Sequence, residues 1–381
     1  MSRLLISRNE PSFLFLLIFF LFFSLDVQSP FVFYGTQFLG LTLLTIYRFI
    51  IYPRISWTCI KIFFFIVIFL EFLSFFQYAY LGLPSVIIGV QKVVFLLSIV
   101  VLNYDYLKNT SVKVISKALS FYIILLSIIV FLQFFGFYFL GLGRDFLDFG
   151  LILGGKEART WYLGDTAFRP TGITSEPAMF IGVQFGLLVL QYLIDKKALF
   201  SRLVGLLSIC LSLSFLGMIL AVLYLIIVYS NNVKNYVIGG VGLFCFYIYS
   251  FDLINKRVEL FLSGEDGSNN VKIELLDFIF SNHEILLFGY GFIYPVENSP
   301  EFFDALGDLT FYINTLTIFG VIFGFLILLL FFVYIFKSMS TVKEKALIFL
   351  ALIKLSNPAF LFFSCFIVMM VVLLNNRKII K

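Results

Sequence analysis

Blocks of apolar side chains, each about 12 to 25 residues long, follow one another along the whole chain with only short polar stretches between them. Crossing about 30 Å of hydrocarbon at about 1.5 Å per residue takes about 20 residues of helix, and inside a bilayer every backbone polar group must be bonded within the protein. Blocks of that length, repeated this often, predict an all-α polytopic membrane protein. Composition agrees: of 381 residues, 61% are hydrophobic and 13% charged, which excludes a water-soluble globular chain. The 53 Phe residues supply lipid-facing and helix-packing surface; no function is read from them.

The blocks place spans at about 12–25, 31–51, 57–77, 83–102, 118–140, 177–194, 199–213, 215–230, 235–250, 311–335, 345–356 and 358–374. This is a single integral membrane domain over residues 1–381 with about twelve spans, in a range of about 11 to 14. Two contiguous pairs read as tight helical hairpins. Ser212-Leu213-Ser214 and Gly217 interrupt one, and Ser356-Asn357-Pro358 the other; proline breaks a helix and serines satisfy the freed backbone groups. Arg3 and Arg8 ahead of an apolar run imitate a signal peptide, but no small-x-small site follows, and a retained first helix is expected. Cys59, Cys210, Cys245 and Cys365 sit inside apolar blocks with no CxxC pair and read as small hydrophobes rather than disulfides or metal ligands.

Charge sorts by side. With the N-terminus inside, 18 of the 27 basic residues fall in inner segments against four acids, Glu10, Asp105, Asp195 and Glu344. The positive-inside rule then places both termini in the cytoplasm. The net charge of +5 is too small to imply nucleic acid as a partner; the bilayer itself is the first partner. Two large extracytoplasmic loops, about 143–176 and 251–310, hold 16 of the 22 acids. In the second, Val271, Leu275, Leu276 and Ile279 recur at helical spacing and predict an amphipathic helix. Glu71 and Lys92 lie within spans, where each costs about 2.5 to 3.5 kcal/mol at mid-bilayer; they pair with each other or line a proton or lipid path. His283 reads as a surface or packing histidine. No Walker loop, GxGxxG, HExxH or Asp-x-Asp occurs, so no nucleotide, cofactor or metal is implied by a motif.

The stretch Arg169-Pro170-Thr171-Gly172-Ile173-Thr174-Ser175-Glu176-Pro177-Ala178 is the most informative. Pro170 and Gly172 shape a turn, Thr174 or Ser175 can cap the helix that follows, and Pro177 suits its first turn. A helix N-terminus with a guanidinium close by is a receptor for phosphate or pyrophosphate. Glu176 is then either a capping carboxylate or a base facing a substrate hydroxyl, capping being the commoner role on local signal.

Arg-x-x-Gly-x-x-Ser-Glu-Pro-Ala leading into a span resembles the first-loop signature of the bacterial O-antigen and capsular polysaccharide polymerase family (Wzy-type), within the O-antigen ligase-like group. Further matches come in the expected order: Ser212-Leu213-Ser214-Phe215-Leu216-Gly217 resembles that group's Thr-x-Ser-x-Gly turn. Arg257, Ser268, Lys272 and Phe288-Gly289-Tyr290-Gly291 are similar to its Arg and Gly-x-Gly elements, and Asn314 with Gly320 and Gly324 to its Asn-then-Gly stretch. The matched region runs over about 160–330. There are departures. Lys272 stands where the family often has Arg and lacks the bidentate fork, and Ile313 stands where the group's ligases carry His, which favours polymerase over ligase.

The resemblance implies a glycosyltransferase of the bacterial cytoplasmic membrane, making O-antigen for lipopolysaccharide, or capsule. It would move a growing glycan from polyprenyl (undecaprenyl) pyrophosphate to the non-reducing end of a lipid-linked repeat unit, with a chain-length regulator and a flippase as further partners. Cleavage builds charge on a pyrophosphate, for which Arg159, Arg169, Arg257 and Lys272 are the candidate ligands, without metal. Asn314 joins them as a substrate-binding residue. Glu176 is the candidate base, with Asp165 and Glu157 behind it, and Arg169 acts beside it in catalysis. The alternatives are a polysaccharide flippase or secondary transporter, which would show repeated halves and a mid-membrane site, and an O-antigen ligase. A lipid-dependent oligosaccharyltransferase or mannosyltransferase is disfavoured by the small connection around Asp26.

Overall fold

The computed structural model describes residues 9–162, 167–229, 259, 263, 267–292, 305–306 and 309–380. The expected span at 235–250 and most of the second large loop lie outside them. Elsewhere the apolar blocks are helices. These are α1 (Asn9–Ser24), α2 (a π-helical Phe31–Gly40 running into Leu41–Ile51), α3 (Trp57–Leu81), α4 (Pro84–Asn109), α5 (Val112–Leu140), α6 (Pro177–Ile194), α7 (Leu199–Leu211), α8 (Phe215–Tyr229), α11 (Phe311–Ser338), α12 (Val342–Lys354) and α13 (Leu361–Ile380). The second loop contributes α9 (Gly267–Ser281) and α10 (His283–Phe288). Among the described residues α3, α4, α5 and α6 are long and apolar enough to cross a membrane, as is α11 by total length and composition. The helices outrun the apolar blocks at their polar ends: α5 begins at Val112, where the Ser111 hydroxyl accepts from Val114 N, because Lys113 and Lys117 extend a helix as readily as they flank one.

The chain divides into two compact units, one of Met1–Lys61, Leu96–Ala221 and Leu361–Lys381, the other of Ile62–Phe95 and Val222–Phe360. In the first unit α6 is enclosed by α5, α7 and α13, and 15 of its 18 residues are buried. A helix apolar on all sides suits the interior of a bundle as well as lipid, and α6 takes the interior place. Two buried amides tie it to its neighbours: Gln184 Nε2 donates to Ser127 Oγ of α5 at 2.9 Å and to Ser208 Oγ of α7 at 3.2 Å, and Gln191 Nε2 donates to Ser116 Oγ of α5 at 3.2 Å. Ser212–Ser214 ends α7 with Leu213 at φ 51, and Gly217 then packs against Ile209 and Ile181, the turn expected at that position. Cys59, Cys210 and Cys365 are free thiols.

In the second unit α11 is not one rod. Gly320, at φ 72 and ψ 170, breaks it into limbs 311–319 and 321–338. The limbs fold together: the ring of Phe311 lies 5.3 Å from that of Phe331 and the ring of Tyr312 6.1 Å from that of Phe332. The single span expected at 311–335 is therefore a hairpin, and only its second limb, at about 27 Å, approaches the thickness of the hydrocarbon. Phe288-Gly289-Tyr290-Gly291 enters the break. Tyr290 N and Gly291 N donate to Thr317 O and Ile318 O at 2.7 and 3.0 Å, and Gln77 Nε2 of α3 donates to Phe288 O and Ile318 O at 2.9 and 2.8 Å. The Tyr80 hydroxyl donates to Gly289 O. These bonds occupy carbonyls that a broken helix exposes, which apolar surroundings require. The expected amphipathic helix is α9: Leu275 and Ile279 are buried with Ile285 and Tyr290, and Val271 and Leu276 pack on the same cluster. Glu71 is exposed on α3 among exposed Ile68, Phe72 and Phe75.

Candidate functional site in the first large loop

The loop starts where α5 ends at Gly141, in the left-handed region at φ 64, with its N–H returned to Gly136 O. A carboxylate then organises the first part. Asp148 is buried; its Oδ1 accepts from Gly150 N at 2.7 Å and Leu151 N at 3.3 Å, and its Oδ2 from Ala158 N at 2.9 Å. With both oxygens committed to backbone amides, Asp148 is a loop-closing group.

Short extended segments are laced together beside it. Lys156 N donates to Gln28 O at 3.1 Å, Ser175 N to Asp26 O at 2.6 Å, Arg159 N to Ser175 O at 2.8 Å and Arg169 N to Thr160 O at 2.8 Å. Trp161–Tyr162 (β1) pairs antiparallel with Ala167–Phe168 (β2), Trp161 opposite Phe168. The connection between α1 and α2, too small to have signalled a role in the sequence, is thus an edge of the site. Asp165 lies outside the described residues.

One side chain of α5 sets the turn in the key stretch. Gln133 is buried; its Oε1 accepts from Thr171 N at 3.2 Å and Gly172 N at 2.9 Å, while its Nε2 donates to Gly172 O at 3.0 Å and Leu147 O at 2.8 Å. A single amide thereby satisfies four backbone groups. Gly172, at φ 63, has no room for a Cβ, which would fall 2.9 Å from the Phe180 ring. Tyr138 adds a clamp, its hydroxyl donating to Phe168 O at 2.8 Å. Neither Gln133 nor Tyr138 was found from the sequence, because both sit among aliphatic and aromatic residues of a span, where a lone polar side chain has no diagnostic spacing.

These bonds deliver Glu176 to the N-cap of α6 with Pro177 at the first helical position. Neither residue expected to cap, Thr174 or Ser175, holds the N-cap position; the Thr174 hydroxyl donates to Thr171 O and Glu176 O at 2.8 and 2.9 Å and closes the turn instead. Glu176 makes no side-chain cap bond either. Its Oε1 lies 2.9 Å from Arg159 Nη1, the Glu176 side chain being 26% and the Arg159 side chain 69% exposed. Of the two readings of Glu176, the capping one is not realised. Arg169, the residue after β2, is half-buried, and its N–H donates to the carbonyl of Thr160, the residue after Arg159. Glu157 is exposed. The sequence-predicted residues brought together here are thus Arg159 and Glu176, with the backbone of Arg169 bonded to Thr160 beside them.

The other predicted residues belong to the second unit. Lys272 is half-buried on α9, and Arg257 lies outside the described residues. Asn314 is fully buried and its Nδ2 donates to Leu309 O and Ser356 O, both at 3.1 Å, so its amide joins the start of α11 to the turn after α12. His283 is exposed. Burial pushes the Tyr290 phenol above its usual range.

Comparison with protein-family models, with curated proteins and with solved structures finds no match to this chain.

Proposed function

We propose that this protein is a polysaccharide repeat-unit polymerase, a glycosyltransferase that moves a growing glycan from polyprenyl pyrophosphate to the non-reducing end of a lipid-linked repeat unit. The reading has it work at the outer face of the bacterial cytoplasmic membrane, in a chain of about twelve spans with both termini inside. The observation that supports it is the part-exposed ion pair of Arg159 and Glu176 at the start of α6, a carboxylate spared from capping and set beside a guanidinium.

In this reading Arg159 and Arg169 take the pyrophosphate; Arg257 and Lys272 are the further cations that the resemblance implies. Glu176 accepts the proton of the acceptor hydroxyl as its oxygen bonds to the anomeric carbon. The bond from that carbon to the pyrophosphate breaks, and polyprenyl pyrophosphate leaves with the electron pair. Charge-assisted contacts contribute about 1.5 to 3 kcal/mol each, so two that strengthen in the transition state lower the barrier by about 3 to 6 kcal/mol. The bond energy is already in the donor, so the chemistry calls for no nucleotide. Asn314, held by two carbonyls, serves as a positioning group for the second unit. The O-antigen ligase reading is disfavoured by Ile313, and a flippase by the concentration of polar side chains in two loops on one side.

Glycan profiling of a deletion strain tests this. A polymerase leaves single repeat units on the lipid or cell surface and no long polymer. Loss of repeats from the outer leaflet identifies a flippase instead, and unchanged polymer removes the proposal.

A further inference from the structure

We infer that the Arg159–Glu176 ion pair is a latch opened by the substrate's own phosphates, so that the base becomes available only once the donor is bound. The inference rests on the reading of this loop as a pyrophosphate site and adds an order of events to it. As the pair stands, the two side chains engage each other: Arg159 Nη1 is 2.9 Å from Glu176 Oε1, and the guanidinium occupies a carboxylate oxygen that an acceptor hydroxyl would have to reach. Three features make the contact exchangeable. Arg159 is 69% exposed, and ion pairs that open to water are weak. Its backbone is fixed beside the carboxylate by the 2.8 Å bond from its N–H to Ser175 O, so the guanidinium can swing without moving the loop. Glu176 has no cap bond to the start of α6, so the cation is the partner the geometry gives it. A pyrophosphate carries several charges and accepts from a guanidinium in bidentate fashion; it outcompetes one carboxylate for Arg159. The same transfer grips the donor and frees Glu176 to take the acceptor proton.

Binding of inorganic pyrophosphate to the purified full-length protein, followed by calorimetry, separates this from a structural pair. Removing the competing charge with Glu176→Gln tightens binding by up to about fivefold, the upper end of what an exposed ion pair represents, and Arg159→Ala weakens it. The double variant binds no more tightly than Arg159→Ala alone. Glu176→Asp, which keeps the charge but shortens its reach, also tightens binding and serves if the Gln variant does not fold. Unchanged or weaker binding by both Glu176 variants, with the wild type still binding, overturns the latch and leaves the polymerase reading standing. Absence of pyrophosphate binding in every protein overturns both.

Discussion

The ring of Phe311 lies 5.3 Å from the ring of Phe331, twenty residues later in the same apolar block. In an unbroken helix the two would stand about 30 Å apart. The relationship can be tested directly in membranes. A Phe311→Cys, Phe331→Cys double variant is cross-linked intramolecularly by a short, disulfide-containing bismaleimide, read as a mobility shift reversed by reductant, and neither single variant is. A double variant left unlinked under conditions that link a control pair would mean a continuous helix.

The break depends on two backbones in contact. A Cβ at Gly289 would lie 2.2 Å from Ile318 O, and one at Gly320 2.2 Å from Leu287 O, both at positive φ. Gly289→Ala and Gly320→Ala each destabilise the protein by about 2 kcal/mol or more, seen as a lower thermal midpoint in detergent. Gly35→Ala, where the nearest atom outside the helix backbone is a Phe31 ring carbon at 3.6 Å, leaves it unchanged.

Gln133 makes a parallel prediction for the first loop. Gln133→Ala strips a partner from buried amides and carbonyls of Thr171, Gly172 and Leu147, at about 1 to 3 kcal/mol for each group left unsatisfied. Amide exchange in 168–176 accelerates while α6, enclosed by its neighbours, stays protected. Polymer formation falls with it, because Arg169 and Glu176 hang on that turn.

Sidedness is checked by labelling. A cysteine replacing the exposed Lys156 reacts with an impermeant maleimide on intact spheroplasts, and one replacing the exposed Lys197 reacts only after permeabilisation. The reverse pattern would place the Arg159–Glu176 pair on the inner face, away from flipped repeat units.

What could be read from the sequence follows from which physics is local. Block length and apolar continuity located the helices, and the spacing of Val271, Leu275, Leu276 and Ile279 located α9 together with its buried face. The hairpin in α11 escaped, since Gly320 is tolerated in a helix and the cause of its break, the backbone of 287–291, is distant in sequence. In the candidate site, Arg159 and Glu176 stood out because charge is scarce in this chain. Their pairing did not, for it depends on a backbone bond from Arg159 to Ser175 and on a turn set by Gln133 from another helix. The role of Asp148 was equally hidden among loop acids until its two oxygens were seen on three amides.

The central claim is that Arg169 and Glu176 act on a lipid-linked glycan. The most direct measurement is the glycan profile of cells in which Arg169→Ala or Glu176→Gln replaces the wild-type protein, with membrane levels checked by immunoblot. Loss of a general base lowers the rate by about 10²- to 10⁴-fold, so single repeat units on the lipid or surface and no long polymer are predicted for Glu176→Gln, and the same pattern for Arg169→Ala. Full-length polymer in both variants would contradict the account.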